Sequence, residues 1–544
     1  MIARPIAALA AALAVLGACT KTPDPVATPK PRTAPAATVG ADAPAATRPA
    51  LDVAGVAWRK GDVDAAFAVA KADNKPVFLY WGATWCPPCN QVKATIFNRQ
   101  DFIERSRFFV PVYIDGDSAS AQKLGDRFQV SGYPTMILFK PDGSEITRLP
   151  GEVDAEQYMR VLALGMNGAR PVKDTLAAAL SPGDDAAALS ADDWRMLAYY
   201  SWDTDEQRLV PDKALASTLQ RLAQACPAAE ANTATRLRLR SLAAAATAKD
   251  AKPRDDKAAA ADLLQTLSDS KVARENFDLV TYYADNIVGY VTLPHSAARE
   301  ELAASWNAAL ERFVADAGVS TADRLSAVTA QVGLAKLDAP KGALADPLLQ
   351  SVRDQVARAD RETADPYARV AVISAAADAL SEADLMNASD ALLEAELKRS
   401  HAPYYFMLDL AANAKKRGDK AAALDWDQKA YAAADGPATR LQWGVHYVNA
   451  LIDLAPENEA RIGQAAKSVL GELDPTPDTF YERNRRALER MGAKLATWNG
   501  QHRHEATLKT IRTQMAGVCA RLPAGDPARL VCDGVLRPSK GVGA

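Results

Sequence analysis

The sequence has no excess of positive charge, few aromatic residues and no histidine cluster. Lys and Arg number 64 against 67 Asp and Glu, and the formal net charge is −3. Because proteins that bind phosphate backbones carry a basic excess, nucleic acid is not expected as a main partner. Aromatic residues make up only 7% of the chain and Ala-rich runs dominate its second half, which favours helices over a large sheet. The five histidines show no metal-ligand spacing on a helix, so we expect no metal and no other cofactor.

Long hydrophobic runs are also lacking beyond the N-terminus. After residue 18 no stretch reaches 18 uninterrupted apolar residues, so we expect no transmembrane helix in the rest of the chain. Hydrophobic residues nevertheless make up 49% of the 544 residues and charged residues 24%, values typical of a globular protein. At roughly 150 residues per domain, this length suggests two to four domains.

The N-terminus is typical of a targeting segment. A positive charge precedes a short apolar run over 6–16, and the run ends in Leu16-Gly17-Ala18-Cys19, which resembles the lipobox of bacterial lipoproteins. The resemblance implies that residues 1–18 are a signal peptide, that Cys19 is lipidated, and that the protein is held at a membrane outside the cytoplasm. The residue after Cys19 is Thr20 rather than aspartate. In such lipoproteins this usually indicates an anchor in the outer membrane, with the protein facing the periplasm. The alternative is an ordinary secretory signal with an incidental cysteine.

Residues 19–50 form a separate segment. Seven prolines fall among Ala, Thr and Lys between residues 20 and 50, and no apolar period runs through them. Such a segment buries too little apolar surface to offset its ordering entropy. We therefore expect a disordered tether after the lipidated cysteine.

Residues 51–170 alternate between helix and strand patterns. Apolar runs predict strands over 77–81 and 108–114, and two further strands over 136–139 and 145–149 flank the turn signal Pro141-Asp142-Gly143. Amphipathic runs predict helices over 62–72, 118–128 and 154–164, with Asp62 as the N-cap of the first. This order predicts a mixed sheet that is covered by helices on both faces.

The chemistry of this segment lies in Trp85-Cys86-Pro87-Pro88-Cys89, which follows the first buried strand and begins a helix. Two cysteines spaced C-x-x-C on a first helical turn lie within disulfide reach. Unpaired N–H groups and the helix dipole favour a thiolate at the helix N-terminus. We therefore expect Cys86 to be the exposed attacking thiol and Cys89 the more buried resolving thiol. The alternative, half of a zinc site, needs two further ligands, and no second C-x-x-C or C-x-x-H follows nearby.

Residues 58–168 resemble the thioredoxin-fold family on two motifs. The Trp85–Cys89 segment matches the family's active-site motif, and Gly132-Tyr133-Pro134-Thr135 before a strand matches the cis-proline loop that faces it. Asn74-Lys75-Pro76-Val77 is similar to the thioredoxin-like domain of the membrane thiol:disulfide interchange reductase. The Gly-Tyr-Pro-Thr loop is similar to that of protein disulfide isomerases. The resemblance implies an α/β thioredoxin fold for this segment.

The resemblance also implies a role for each matched residue. Cys86 and Cys89 would be the catalytic pair, and Pro134, in a cis peptide, would face them. The backbone of Tyr133 would pair with a bound substrate strand, and Trp85 would contribute to the same substrate-binding surface.

One position departs from the family pattern. Thioredoxin has a buried aspartate six residues before the first cysteine, where it helps to deprotonate the resolving thiol, and this sequence has Tyr80 there. Proton transfer at the resolving thiol is therefore expected to come from water or another acid.

The motif leaves the direction of electron flow open. Reductases, oxidants and isomerases all use the same mixed-disulfide step. The family's oxidants have a histidine before the second cysteine, which this sequence lacks, and Pro87-Pro88 resembles reducing members such as tryparedoxin and nucleoredoxin. We therefore expect a reductase, with an oxidant or an isomerase as the alternative.

From residue 171 to residue 544 the strand signals stop and apolar residues recur at helical spacing. Tyr404 to Pro437 resembles a tetratricopeptide repeat, with small residues where close helix packing needs them, although Ala414 stands where a large residue is usual. We expect a larger all-helical domain, either a repeat solenoid with a peptide- or protein-binding surface or a plain bundle.

Three further cysteines fall in the helical part. Cys519 and Cys532 flank Pro523-Ala524-Gly525-Asp526-Pro527, a predicted loop between two short helices, so we expect a structural disulfide there. Cys226 is left over, and is expected to be a buried thiol or else an exposed one that pairs with a partner.

Together these features predict an extracytoplasmic, lipid-anchored thiol:disulfide oxidoreductase. Its partners would be proteins with disulfides, an upstream membrane thiol that donates electrons, and the membrane that holds the lipid anchor. The helical half would select or hold substrates. The alternative is a scaffold or folding-assistance lipoprotein whose helices carry the main function and whose redox site is accessory.

Overall fold

The structure is a computed structural model that describes residues 55–118, 120–130, 132–151, 153–167, 170–181, 189–205 and 209–536. The predicted signal peptide, Cys19 and the tether lie outside the described residues and stay predictions. Residues 55–167 are called the sheet region below, and residues 170–536 the helical region.

The sheet region contains one mixed sheet of five strands. The strands are β1 Arg59–Lys60, β2 Val77–Gly82, β3 Val110–Asp115, β4 Thr135–Phe139 and β5 Glu145–Leu149, in the spatial order β1-β3-β2-β4-β5. The first three are parallel to one another, whereas β4 runs antiparallel to β2 and β5 antiparallel to β4. The mixed sheet and the β4–β5 hairpin were predicted from the sequence, and both are confirmed.

Five helices accompany the sheet: α1 Val63–Asp73, α2 Pro87–Val92, α3 Gln100–Arg105, α4 Ala121–Phe128 and α5 Ala155–Asn167. A π-helical turn, Lys93–Phe97, continues α2, and a 3-10 turn, Ser106–Phe108, follows α3. Asp62 caps α1 as predicted, because its carboxylate accepts a hydrogen bond from the N–H of Ala65.

Alternate side chains of β2 point to opposite faces of the sheet and enter two different cores. Leu79 and Trp81 pack with apolar residues of α1 and α4. Phe78 and Tyr80 face the other side, where they contact an aromatic cluster from the π-helical turn, α3 and β3. The near-continuous apolar sequence of β2 follows from this burial on both faces.

The helical region contains no strand among its described residues, as the sequence predicted. No helix of the described residues is long and apolar enough to cross a membrane. Its helices are α6 Val172–Leu180, α7 Ala191–Tyr199, α8 Asp212–Ala225, α9 Ala231–Ala246, α10 Lys257–Ser268, α11 Ser270–Glu275, α12 Phe277–Tyr282, α13 Ala284–Val291, α14 Ala297–Ala315, α15 Thr321–Ala335, α16 Asp346–Glu362, α17 Pro366–Glu382, α18 Met386–Leu397, α19 Pro403–Lys416, α20 Lys420–Ala433, α21 Pro437–Leu454, α22 Glu459–Gly471, α23 Glu482–Trp498, α24 Glu505–Cys519 and α25 Pro527–Gly534.

The segment that resembles a tetratricopeptide repeat forms the helix pair α19 and α20. Gly418 lies between the two helices with φ of 83°, a left-handed conformation that favours glycine. Asp419 caps α20 by accepting a hydrogen bond from the N–H of Ala422. Membership of that repeat family stays a prediction.

The two regions pack against each other rather than being joined only by the chain. Arg148 on β5 is fully buried, and its guanidinium donates to the carbonyl oxygens of Phe128 (2.5 Å), Gln129 (2.9 Å) and Thr204 (2.8 Å). Thr204 belongs to the helical region, so this one side chain ties the hairpin to it. At another point Arg274 forms an ion pair of 2.8 Å with Asp154, at the start of α5.

Candidate redox site

The two motif cysteines lie on the first turn of α2. Cys86 is the N-cap of this helix, with extended backbone dihedral angles, and its Sγ lies 3.3 Å from the backbone nitrogen of Cys89. The structure joins Cys86 and Cys89 in a disulfide, with 5.2 Å between their Cα atoms. The sulfur of Cys86 therefore sits at the helix terminus, where free N–H groups stabilise a thiolate in the reduced form.

Local sequence explains why the chain turns in this way. Pro87 and Pro88 occupy the first two helical positions, where proline needs no N–H partner. The side-chain amide of Asn90 donates to the carbonyl oxygens of Thr84 (2.8 Å) and Cys86 (3.0 Å). The turn between β2 and α2 is thereby fixed by a side chain one residue beyond the second cysteine.

The predicted facing loop lies beside the disulfide. The Tyr133–Pro134 peptide is cis, and the carbonyl oxygen of Tyr133 lies 3.6 Å from Sγ of Cys86. Burial raises the pKa of Tyr133 to about 12, although the nearby Arg483 guanidinium acts to lower it. Tyr133 is therefore uncharged at neutral pH.

The predicted exposure of Cys86 is wrong. Its side chain is at the helix terminus, but the residue is only 3% exposed, compared with 2% for Cys89 and 6% for Trp85. The prediction considered only the local helix end, whereas residues more than 300 positions later in the chain cover this end. The two cysteines do not differ in burial in the way the sequence suggested.

Aromatic side chains of the helical region cover Trp85. Tyr405 on α19 stacks on the Trp85 ring at 6.0 Å between centroids, and Trp443 on α21 meets it edge-on at 4.9 Å. Tyr404 contacts Trp443 at 5.9 Å, and its carbonyl oxygen accepts a hydrogen bond from the Trp443 indole. We call Tyr404, Tyr405 and Trp443 the aromatic cover.

A cation completes this contact. The guanidinium of Arg483 on α23 lies 4.5 Å from the ring centroid of Tyr133 and 5.6 Å from that of Trp85. The carboxamide oxygen of Gln442 holds it by accepting two hydrogen bonds. Arg483 therefore contacts both residues that were predicted to bind substrate.

Hydrogen bonds surround the aromatic cover. Asp117, just after β3, accepts from the N–H (2.7 Å) and the hydroxyl of Thr439 at the start of α21. His401 donates from Nε2 to the carbonyl oxygen of Thr84 at 3.0 Å. Burial lowers the pKa of His401, which favours the neutral ring that makes this contact.

The other side of α2 is held by α15 and α17. Gln91 donates to Asp323 Oδ1 at 2.7 Å, and burial raises the pKa of the Asp323 carboxyl group. The ammonium group of Lys93 lies 3.6 Å from the ring centroid of Tyr367. The helical region thus contacts the active-site helix on both sides of the cysteine pair.

Tyr80 occupies the position of the aspartate that thioredoxin has. It is 1% exposed and stacks on Tyr113 at 5.5 Å. Burial, and then the charge of Asp115, raises its pKa well above the ordinary value, so Tyr80 carries no charge near neutral pH. It cannot act as the base that the family's aspartate provides.

The remaining cysteines fall outside this site. The structure joins Cys519 and Cys532 in a disulfide between α24 and α25, with 5.6 Å between Cα atoms. Cys226 is a free, half-buried thiol at the end of α8, and burial, followed by the charge of Glu230, raises its pKa to about 11. Cys226 is therefore a poor nucleophile at neutral pH.

Four residues beside the redox site were not predicted from the sequence: Tyr405, Trp443, Arg483 and His401. Each lies in an Ala-rich helical run or beside one, where an aromatic residue at helical spacing indicates core packing and nothing more. No local pattern links them to a cysteine pair that lies over 300 residues earlier in the chain.

Comparisons with known proteins agree with this geometry. Residues 63–165 match the family model of the thioredoxin-like domain. The thiol:disulfide interchange protein DsbD 2 of Pseudomonas aeruginosa is 32% identical over 102 residues, which are 18% of this chain and 17% of that protein. Thioredoxin of Mycobacterium bovis is 34% identical over 101 residues, which are 18% of this chain and 83% of that protein.

The curated relatives named DsbD are matched over less than a fifth of their own length. Among solved structures, a DsbH oxidoreductase aligns with a TM-score of 0.20 and 18% identity, over 24% of this chain and 96% of that one.

Proposed function

The chain belongs to the thioredoxin family through residues 63–165, and from this membership we propose that it reduces disulfides in protein substrates outside the cytoplasm. The observation that carries the proposal is the Cys86–Cys89 pair at the start of α2, opposite the cis Tyr133–Pro134 peptide. A scaffold whose redox site is accessory is the less favoured reading, because its helices would need neither feature.

In the proposed reaction the reduced protein carries two thiols. The Cys86 thiolate attacks one sulfur of the substrate disulfide, and a mixed disulfide forms while the other substrate sulfur leaves as a thiolate. The Cys89 thiolate then attacks Cys86, which releases the second substrate thiol and closes the Cys86–Cys89 disulfide. Two electrons pass to the substrate, and an upstream membrane dithiol must return two to this protein, becoming a disulfide as it does so.

The helical region has a double role in this proposal. It provides the surface that binds the substrate or partner, and it covers the redox pair in the disulfide form. The Cys86 thiolate must approach the substrate disulfide along its S–S axis, and a protein substrate cannot reach Cys86 in the closed arrangement of the structure, where this residue is 3% exposed. The aromatic cover must therefore separate from Trp85 during each turnover.

The direction of electron flow is tested by the reduction potential of the Cys86–Cys89 pair in the full chain. A reductase should have a value near that of thioredoxin, about −270 mV, whereas a strong oxidant would lie near −120 mV. Pro87-Pro88 between the two cysteines, with no histidine before the second, supports the reducing direction. A potential above about −180 mV would contradict it.

The proposed location depends on Cys19, which we propose as the lipidated residue. Cys19→Ser should move the protein from the outer-membrane fraction to the soluble extracytoplasmic fraction without changing its thermal unfolding. If the variant stays in the membrane fraction after a carbonate wash, the lipoprotein assignment is wrong.

A further inference from the structure

A cavity with basic walls lies beside the aromatic cover. It has a volume of about 340 Å³ and lies between α21 and α23, with α19 at one side. Arg483, Arg486 and Arg490 project from one face of α23, at positions i, i+3 and i+7. Gln442 and His446 line the opposite wall, and no acidic residue lines the cavity. This volume is within the range of small-ligand sites, roughly 300–1,000 Å³.

The positive charge of this cavity is only partly neutralised. Arg486 forms an ion pair with Glu482 at 3.1 Å. Neither Arg483 nor Arg490 has a carboxylate within salt-bridge distance among the residues that the structure describes, and Arg483 is held by the uncharged amide of Gln442. Burial, followed by the charges of Arg483 and Arg486, lowers the pKa of Arg490, so the three cations repel one another.

Two of the residues that line the cavity also contact residues of the redox site. Trp443 lines the cavity and also contacts Trp85, the residue before the attacking cysteine. Arg483 lines the cavity and lies over the rings of both Trp85 and Tyr133. A group bound here would therefore lie against the same two side chains that hold the cover on the redox pair.

Resting on the proposed function, we propose that this cavity binds acidic side chains of the protein substrate, next to the disulfide to be reduced. Two guanidinium groups without a carboxylate partner match a carboxylate by charge and by hydrogen-bond geometry. The flanking Trp443 offers an apolar surface to the stem of a glutamate. The protein would thus favour disulfides in acidic segments over those in neutral or basic ones.

The test measures binding without any redox step, so that it stands even if the reductase assignment fails. Two fluorescein-labelled ten-residue peptides would be compared with the full chain in its disulfide form, both with serine in place of cysteine. They are identical except that four glutamates in one are glutamines in the other. Anisotropy should give an affinity at least about tenfold higher for the acidic peptide at low salt, and the difference should shrink as salt is raised.

Variants assign this preference to the cavity. Arg483→Gln and Arg490→Gln should each lower the affinity for the acidic peptide by about fivefold to tenfold and leave the glutamine peptide within about twofold. Arg358→Gln, the same charge change at an exposed position of α16, is the control and should change neither affinity. Because Arg483 packs on Trp85, Arg490→Gln supplies the test if Arg483→Gln fails to fold.

Equal affinities for the two peptides would overturn the proposal, as would a preference that the double Arg483→Gln, Arg490→Gln variant retains. Inorganic phosphate distinguishes the other source of negative charge. If phosphate at about millimolar concentration shifts the thermal unfolding of the protein through Arg490 while neither peptide binds, the cavity is a small-anion site and the substrate assignment is wrong.

Discussion

The sheet region and the helical region differ in the contacts that join their elements, although both bury aromatic rings and arginine side chains. One face of the sheet rests on aromatic rings, with Phe78, Phe97 and Phe102 in mutual contact at 4.8–6.2 Å. The helical region instead buries ion pairs between helices, such as Arg236–Asp278 at 2.7 Å and Arg369–Glu396 at 2.6 Å. Ring packing does not depend on charge, whereas a buried ion pair leaves an uncompensated charge when one partner is lost.

The contact between the two regions is made of aromatic rings at its centre and of charged and polar groups at its edge. Two aromatic residues of the helical region, Tyr405 and Trp443, lie on Trp85, while polar pairs such as Asp117–Thr439 surround them. The centre of this contact is made of ring packing, which is non-directional, whereas separation at its edge must also break the hydrogen bonds between Asp117 and Thr439.

The largest expected effect is on the redox activity of the sheet region and not on its stability. Cys86→Ser should abolish reduction of a protein disulfide by the pre-reduced full chain, because no attacking thiolate remains. Cys89→Ser should instead accumulate a mixed disulfide on Cys86, visible by mass spectrometry after acid quenching. Adducts trapped on Cys89 in the Cys86→Ser variant would reverse the two assignments.

The next effect concerns the ion pairs of the helical region. Arg236→Met should lower the free energy of unfolding by about 3–5 kcal/mol, because Asp278 is 2% exposed and loses its principal partner. Burial acts to raise the pKa of Asp278, but Arg236 and then Arg240 outweigh burial and hold it below its ordinary value. Chemical denaturation of the full chain measures the loss.

The matched control for that variant is Arg127→Met in the sheet region. Arg127 pairs with Asp64 at 2.7 Å, but both side chains are largely exposed, so the cost should be below about 1 kcal/mol. If the two variants lost equal amounts of unfolding free energy, the buried ion pair of the helical region would not differ in importance from the exposed pair of the sheet region.

A smaller effect depends on pH. Burial, and then the carboxylate of Asp378, raises the pKa of Asp409 on α19 to about 8, one turn from Tyr405. The unfolded chain releases this proton near pH 4, so the folded state holds more protons between about pH 4 and 8 and loses stability as the pH rises through that window. Asp409→Asn should remove this pH-dependent loss of unfolding free energy, which amounts to about 1–3 kcal/mol between pH 5 and pH 8.

Thermal unfolding across that pH range checks the sign. Asp409→Glu, which keeps a carboxyl group at the same position, should keep the pH dependence. If wild type and Asp409→Asn have parallel profiles, the carboxyl group of Asp409 is not protonated in the folded protein at neutral pH.

Local sequence was enough to predict the parts of the fold that local sequence controls. The Cys86–Cys89 turn, the hairpin around Pro141-Asp142-Gly143 and the helix cap of Asp62 each depend on residues within a few positions of one another. The two-residue strand β1 was missed because it is too short to show a periodicity.

The aromatic cover could not be predicted because its contacts join residues that are distant in the chain. Trp443 has the same helical spacing as any core residue, and its contact with Trp85 exists only when α21 is placed against the sheet region. The expected exposure of Cys86 was wrong for the same reason.

The central claim is that the aromatic cover closes over the redox pair and must separate for the pair to react. The alkylation rate of Cys86 in the reduced full chain, followed peptide by peptide with a bulky maleimide, tests this claim most directly. Tyr405→Ala removes the ring stacked on Trp85 and should raise the rate about tenfold, whereas Tyr290→Ala, a similar loss elsewhere in the helical region, should leave it unchanged. Equal and fast alkylation in all three proteins would show that the helical region does not cover Cys86 in solution.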